Sequence, residues 1–407
     1  LREQDAVACF KDQDHVSCPT RQPACERLLV ALEAAPADAT VDKALFIVLN
    51  ISSVCAHELG QPSIAESRAR TSLELAIRIH GPEHPDVANS LNDLAFMLHS
   101  QGKYEAAETM YRQALAMTQK LLGVGHPDVA TILDNLARVL SQQRKYEAAE
   151  TLYRQALAMK QKLLGIEHPD VAHSLSNLAG VLSQQGKYED AETLDRQVLA
   201  MRQKLLGAEH MDVAASLSNL AIVLDRQGKY EAAETLHRQA LAMRQRLLGV
   251  EHPDVAASLS NLAEVLYQQG KFEAAEPLFR QALAMRQKLL GVEHPDVAHS
   301  LNNLAGVLYR QGKFEAAEPL FRQALAMSQK QLGAEHPDVA IMLNHLAVLL
   351  ERQGKFEAAE TLHRQSLAMR QKLLGVEHPD VAHSLNNLAL VLADQGKFEA
   401  AEGRHRE

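Results

Sequence analysis

Eight histidines recur at a constant interval of 42 residues, and histidine is a common protein ligand of zinc. They are His84, His126, His168, His210, His252, His294, His336 and His378. Zinc needs its ligands within about 2.1 Å of one ion, whereas neighbouring helix pairs stack on the order of 10 Å apart. The spacing therefore predicts linker and helix-start histidines, with no metal site and no cofactor.

A second recurring position carries asparagine, whose side chain offers one acceptor and two donors. This asparagine ladder begins with Asp93, has His345 as its seventh member, and otherwise reads Asn135, Asn177, Asn219, Asn261, Asn303 and Asn387. Such side chains can hold an extended peptide backbone whatever side chains the peptide carries. The alternative is that each asparagine bonds to the adjacent repeat and holds the array together, and the two roles can coexist.

Positions beside the ladder vary from repeat to repeat, which is typical of side chains that choose a ligand. The candidates in this group are Arg138, His173, Arg226, Tyr267, His299, Tyr309 and Arg310. Gly180 and Gly306 also vary within it, and each costs about 1 kcal/mol inside a helix. Close approach of a ligand or a neighbouring helix would explain these glycines. The alternative is a solvated face under no demand, and the mixed charges leave the sign of the ligand open.

The elements that carry these residues are two helices per repeat. In the repeat that starts at Pro85, the apolar residues Val87, Leu91, Leu94, Ala95 and Leu98 follow helical spacing and form one face. Gly102 supplies the left-handed residue that ends this helix, and a second helix is predicted from about Tyr104 to Leu122. Arg144 replaces the glycine in one repeat, at an expected cost of about 1 kcal/mol.

One helix pair cannot cover its own apolar faces, so neighbouring pairs must stack. The predicted fold is an all-α, right-handed superhelical solenoid of antiparallel helix pairs. Residues 1–42 are predicted to be a degenerate helical capping segment at the N-terminus. Residues 43–407 form an array of about nine pairs with a 42-residue period, of which the last is truncated.

Composition and motifs exclude several classes of function. The 407 residues carry a net charge of −9 and no long basic run, which predicts no nucleic-acid partner. No apolar run approaches the roughly 20 residues of a membrane span, and a cytoplasmic location is expected. No phosphate-binding glycine loop, HExxH or GxSxG motif occurs, which predicts a protein that is not an enzyme. The chain begins at Leu1 and is expected to be an excerpt or a processed form.

Four cysteines, Cys9, Cys18, Cys25 and Cys55, lie before the array. Their spacing matches no zinc signature. The favoured interpretation is ordinary thiols in a reducing compartment, with a disulfide among the first three as the alternative for an exported protein.

The Leu94-Ala95 pair, Leu98, Gly102, Tyr104, Ala107, Tyr111 and Ala114 match the tetratricopeptide pattern. The period of 42 and the "LLGxEHPDVA" linker resemble the kinesin light chain type of this repeat, over about residues 43–407. The resemblance implies peptide recognition in the concave groove, with first-helix asparagines contacting the ligand backbone. Residues 1–42 show no heptads, so binding to a motor heavy chain is not carried over.

These observations favour a protein-binding scaffold for an extended peptide or partner segment of unknown identity. A second interpretation is the sensor part of a larger receptor, such as a signalling ATPase of the STAND type. A third is a structural solenoid that associates with itself through the ends of the array.

Overall fold

The computed structural model describes residues 18–36 and 38–397. Within this part of the chain there are 18 α-helices and no strand. They are α1 Cys18–Glu33, α2 Ala39–Glu58, α3 Pro62–His80, α4 Pro85–Ser100, α5 Tyr104–Leu122, α6 Pro127–Gln142, α7 Tyr146–Leu164, α8 Pro169–Gln184, α9 Tyr188–Leu206, α10 Met211–Arg226, α11 Tyr230–Leu248, α12 Pro253–Gln268, α13 Phe272–Leu290, α14 Pro295–Arg310, α15 Phe314–Leu332, α16 Pro337–Arg352, α17 Phe356–Leu374 and α18 Pro379–Asp394. The prediction of an all-α fold built from helix pairs is confirmed, while the truncated last helix pair and Cys9 lie outside the described residues.

The first helix of each array repeat begins at its linker histidine. In α14, Nδ1 of His294 accepts a 3.2 Å hydrogen bond from the backbone N–H of Asp296. Pro295 occupies the first helical position, where its missing N–H has no partner to lose. Asp296 lies in the first turn, at the positive end of the helix dipole. The predicted helix-start role of these histidines is confirmed, and the structure adds that the imidazole itself caps the helix.

A left-handed residue ends the first helix of each repeat. In α6 this residue is Arg144, with φ of 61°, and within the described residues it alone has a positive φ without being glycine. Its N–H donates to the carbonyl of Ser141, and Lys145 N–H donates to that of Leu140. The predicted strained position of Arg144 is therefore observed.

The helices pack against their neighbours along the chain, and they divide into two compact units, 1–205 and 206–407. The amino-terminal unit contains small apolar clusters, such as Val129 with Leu133 and Ala156. The carboxy-terminal unit contains one continuous core, which runs from Leu241 to Leu392. In both units the core consists mainly of leucine, valine and alanine, and the small alanines allow close contact between helices.

Charged side chains connect successive repeats outside the core. Nζ of Lys355 lies 2.8 Å from Oε2 of Glu318, and Arg322 lies 2.8 Å from the other oxygen of the same carboxylate. The hydrogen bond from Lys355 and the neighbouring Arg322 outweigh the effect of burial and lower the pKa of Glu318 to about 2. The same arrangement recurs 42 residues earlier at Glu276. Each repeat is thus joined to the next by polar contacts as well as by apolar packing.

Helix α2 departs from one expectation. By length and composition it is apolar enough to cross a membrane, and it is the one helix of the described part with this property. This corrects the statement that no apolar run approaches that length. The helix buries Val48, Leu49 and Ala56 and packs against α1 and α3, as the core helix of a helical domain does. Cys55 of α2 and Cys25 of α1 are both buried.

Candidate functional site

A concave pocket of about 330 Å³ lies in the carboxy-terminal unit, and we call it the carboxy-terminal pocket. Three of the predicted residues, Tyr267, Asn303 and Tyr309, line it together. The complete lining is Glu264, Tyr267, Phe279, Asn302, Asn303, Gly306, Tyr309, Phe321, His345 and Val348. The first helices α12, α14 and α16 contribute most of this surface, as expected for the ladder face.

The base of the carboxy-terminal pocket is aromatic. Phe279 of α13 is 2% exposed and Phe321 of α15 is 3% exposed, so only small parts of each ring face the pocket. Both occupy the second-helix position that Tyr111 holds earlier in the chain, which the sequence analysis assigned to the core. The pocket therefore combines an apolar base with polar groups at its sides.

Asn302 and Asn303 lie side by side in this pocket but differ in their partners. Oδ1 of Asn302 lies 3.0 Å from Nδ1 of His345 on the next repeat. Burial, and to a smaller extent the charge of Arg370, lower the pKa of His345, so its ring is neutral at pH 7. Asn303 is half-buried, and its side chain makes no hydrogen bond within residues 18–36 and 38–397. Its donors and its acceptor therefore remain available to a ligand.

Two arginines hold the tyrosines of the carboxy-terminal pocket. The guanidinium of Arg310 lies 5.4 Å from the centre of the Tyr267 ring and 4.9 Å from that of Phe272, within the range of cation–π attraction. Nε of Arg352 donates a 3.2 Å hydrogen bond to the hydroxyl of Tyr309. Arg310 therefore acts on this pocket through Tyr267, rather than as one of its lining residues.

Gly306 leaves open space at the side of the carboxy-terminal pocket. A Cβ atom built at Gly306 would meet no atom within 4 Å, and the same holds for Gly180 of α8. Neither glycine has a positive φ, so neither is required by the backbone. Contact with a neighbouring helix is thus excluded as the reason for these glycines, and room for a ligand remains as an explanation.

A smaller pocket of about 180 Å³ lies in the amino-terminal unit, and we call it the amino-terminal pocket. It brings together four predicted residues, Asn135, Arg138, His173 and Asn177. Thr131, Asp134 and Lys160 complete its lining. Burial, followed by the positive charge of Lys160, lowers the pKa of His173. The pocket therefore has a more polar lining than its larger counterpart.

Charged groups dominate the amino-terminal pocket. Lys160 is paired with Asp134 and donates a 3.0 Å hydrogen bond to Oγ of Ser174. Arg138 donates to Oδ1 of Asn135 at 3.1 Å, while its Nε is buried without a hydrogen-bond partner in the described part of the chain. With Lys160 neutralised by Asp134, the guanidinium of Arg138 is the surplus charge, which favours an acidic group in a ligand.

Three members of the ladder position are engaged with the preceding repeat. Asn135 donates to Asn92 at 3.1 Å and Asn387 donates to Asn344 at 2.9 Å, in the same way that His345 bonds to Asn302. In each case the earlier repeat has asparagine 43 positions before the ladder member. The ladder is therefore divided between members that join repeats and members, such as Asn303, that do not.

The remaining predicted residues are less closely associated with a pocket. Asn219 and Arg226 of α10 are exposed, and Asn261 of α12 is half-buried. His299 is exposed, and its Nε2 lies 3.6 Å from a carboxylate oxygen of Asp338. Their assignment to a peptide groove stays a prediction.

Several pocket residues were missed by the sequence analysis. Phe279 and Phe321 were placed in the core, while Asp134, Lys160 and Asn302 were not assigned to the site. The signal that could have found Asn302 is its pairing with His345, since asparagine before the ladder accompanies each engaged member.

Comparison with known proteins identifies the repeats. The tetratricopeptide repeat model matches residues 45–120, 92–162, 128–204, 170–246, 212–288, 254–330, 296–372 and 338–407. No curated protein sequence matches the chain significantly.

Among solved structures, a putative kinesin light chain with nearly identical repeats from Podosopora anserina is 30% identical in sequence. That match covers 51% of this chain and 97% of that chain, with a TM-score of 0.46. A Rap protein complexed with Competence and Sporulation Factor is 15% identical, covers 91% of this chain and 97% of that chain, and has a TM-score of 0.56.

A STAND protein with a tetratricopeptide repeat sensor from Pyrococcus horikoshii is 14% identical. The match covers 92% of this chain and 53% of that chain, with a TM-score of 0.60. The last two likenesses show the fold alone. Because the family model matches repeat after repeat from residue 45 to residue 407, the chain belongs to the tetratricopeptide repeat family.

Proposed function

We propose that this chain is a non-enzymatic scaffold that binds an extended peptide, or an extended segment of a partner protein, along the ladder face. The observation that carries the proposal is the state of Asn303. Its amide is half-buried at the side of an apolar pocket, yet it bonds to no side chain or backbone group in the described part of the chain. A buried amide is stabilised by a partner, and a peptide backbone offers both a donor and an acceptor.

The surroundings of Asn303 support a peptide rather than a small polar ligand. The base of the carboxy-terminal pocket is formed by Phe279 and Phe321, which suits an apolar side chain. Gly306 leaves space for a ligand backbone to approach the helix. The solved Rap protein, whose fold is similar, carries Competence and Sporulation Factor in its structure.

The two pockets differ in charge, which bears on the partner. The amino-terminal pocket has the surplus guanidinium of Arg138, whereas the carboxy-terminal pocket contains the carboxylate of Glu264. A ligand that enters the amino-terminal pocket is therefore expected to carry an acidic group. A ligand of the carboxy-terminal pocket is expected to present an apolar side chain there.

A peptide-array screen of the full chain tests this function, with Asn303→Ala as the site variant and Asn387→Ala as the matched control. The Asn387 amide is occupied by Asn344, so its removal is expected to leave peptide binding unchanged. Peptides that bind the parent chain should lose at least about tenfold in affinity with N303A, because an amide that pairs twice with a backbone contributes more than 1.4 kcal/mol. Equal binding by the parent and N303A would contradict the proposal.

A second candidate is that the array serves as the sensor of a larger receptor. It is supported by the fold shared with the repeat sensor of the STAND protein, which the match covers over 53% of that chain. The parent open reading frame decides it, because a sensor requires a nucleotide-binding domain in the same polypeptide. In that case the peptide site proposed above would act as the input of the receptor.

A further inference from the structure

Three metal-ligating side chains meet at the junction of α3 and α4, far along the chain from either pocket. They are His80 in the last turn of α3, His84 in the linker and Asp86 in the first turn of α4. Their potential ligand atoms all lie within 4.8 Å of one another. The side chains of His80, His84 and Asp86 are 25%, 38% and 40% exposed, so solvent and ions reach them.

The distances in this cluster suit one metal ion. Nε2 of His80 lies 3.3 Å from Oδ2 of Asp86, and Nδ1 of His84 lies 3.5 Å from the same oxygen. Two ligands of a tetrahedral zinc ion, each about 2.1 Å from the metal, are separated by about 3.4 Å. The two imidazoles are stacked with their centres 4.2 Å apart, so a modest rotation of His80 brings the third ligand into the same shell.

The rest of the chain provides an internal comparison. Every later linker also has a histidine followed two residues later by aspartate, as in His126 with Asp128 and His168 with Asp170. The residue that corresponds to His80 is leucine in each of these repeats, for example Leu122 and Leu164. The histidine–aspartate pair is thus a feature of the helix cap, while His80 is particular to this one junction.

We propose that His80, His84 and Asp86 bind a single Zn²⁺ ion, which joins the end of α3 to the start of α4. Two imidazoles and one carboxylate are a ligand set that zinc accepts, with water in the fourth position. Coordination by Nδ1 of His84 replaces the hydrogen bond that this atom accepts from the backbone N–H of Asp86. The sequence prediction of no metal site considered only the histidines spaced by 42 residues, to which His80 does not belong.

Competition titration of the untagged full chain with ZnCl₂ and a chromophoric chelator tests this proposal. The expected stoichiometry is one ion per chain above the weak binding of the other linkers. His80→Leu inserts the residue that the other repeats carry, so the variant is expected to fold. Its affinity for Zn²⁺ should fall by at least about tenfold, since loss of even an outer-shell partner costs that much.

A matched pair of cap variants separates metal binding from capping. His84→Asn and His126→Asn both keep a good capping side chain, but H84N alone removes a ligand of the proposed site. H84N should therefore lose the tight site, while H126N should retain it. Equal effects of the two variants, or unchanged Zn²⁺ affinity in H80L, would overturn the proposal.

Cysteines need a separate control because thiolates bind zinc. The titration is repeated with Cys9→Ser and Cys18→Ser together, and the single tight site should persist. Loss of that site in the cysteine variant, with H80L unaffected, would assign the zinc to the thiols and would also overturn the proposal.

Discussion

Nδ2 of Asn135 donates a 3.1 Å hydrogen bond to Oδ1 of Asn92, which lies 43 residues earlier on the preceding repeat. Asn303 holds the same ladder position four repeats later, but its predecessor is Ser260 and no such bond forms. One repeated residue type therefore has two roles in the same array. Which role applies depends on the residue that the preceding repeat offers.

Replacing Asn135 and Asn303 separately should distinguish these roles. Asn135→Ala leaves the amide of Asn92 without this partner and is expected to cost about 1 kcal/mol in the free energy of unfolding. Asn303→Ala breaks no hydrogen bond in the described structure and should change stability by less than about 0.5 kcal/mol. Urea unfolding followed by circular dichroism measures both variants. An equal loss of stability in the two variants would contradict the assignment.

Gly306→Ala should stabilise the protein and impair ligand binding. The added methyl group meets no atom within 4 Å, and alanine is favoured over glycine inside a helix by about 1 kcal/mol. The same methyl group would occupy the space that we assign to the ligand backbone. Thermal unfolding and peptide binding are measured together, on peptides found in the screen.

Gly180→Ala is the control for this change. Gly180 has equally open surroundings but does not line the carboxy-terminal pocket. It should therefore raise stability by a similar amount without affecting peptides that occupy that pocket. If G306A binds peptide as well as the parent chain does, the role of Gly306 in ligand approach is wrong.

Asp195 should make the amino-terminal unit less stable as the pH rises. This carboxyl group is 3% exposed, and burial raises its pKa to about 7 from an ordinary value of 3.8. The folded state holds its proton more tightly than the unfolded chain, so its contribution to stability is complete below about pH 4 and is lost as the pH passes 7. Asp195→Asn removes this dependence, which amounts to on the order of 3 kcal/mol between pH 5 and pH 8.

His237 occupies the corresponding position one repeat later and should respond to pH in the opposite direction. Burial lowers its pKa to about 4 from 6.5, so its contribution is complete above pH 6.5 and is lost as the pH falls through 4. His237→Phe, which introduces the residue found at Phe279, should remove this acid sensitivity. Unfolding midpoints measured from pH 4 to pH 8 check both variants, and parallel pH profiles for D195N and its parent would refute the Asp195 prediction.

Arg144→Gly should stabilise the array by about 1 kcal/mol. Arg144 has a φ of 61°, where a side chain is strained and glycine is not. The change restores the residue that other repeats carry, as at Gly186. The reverse substitution, Gly186→Arg, should cost a similar amount, and urea unfolding measures both. No gain from R144G would show that Arg144 is held there by contacts that offset the strain.

The local elements could be predicted closely from the sequence. The second helix from Tyr104 to Leu122 was expected and is observed over the same residues, because its apolar spacing and the following Gly123 define both ends. The positive φ of Arg144 was also predicted, since its neighbours in other repeats are glycines. These features depend on residues close together along the chain, so local chemistry is sufficient to determine them.

The candidate site was predicted less completely. The ladder and its variable neighbours follow from comparing repeats, and Tyr267, Asn303 and Tyr309 do meet in one pocket. The base of that pocket could not be predicted in this way. Phe279 and Phe321 fall on the apolar face of second helices, where a ring that is entirely buried and a ring that exposes one edge have the same pattern.

The sequence by itself determined the repeat, the helix pairs and the family, because a period of 42 residues with apolar spacing leaves one way to bury the chain. Tertiary structure alone decided which asparagines are already engaged and which side chains share a pocket. It also decided that His80 lies beside His84 and Asp86. These outcomes depend on distances between groups on different helices, and such distances are set by how the helices pack rather than by the residues of either helix.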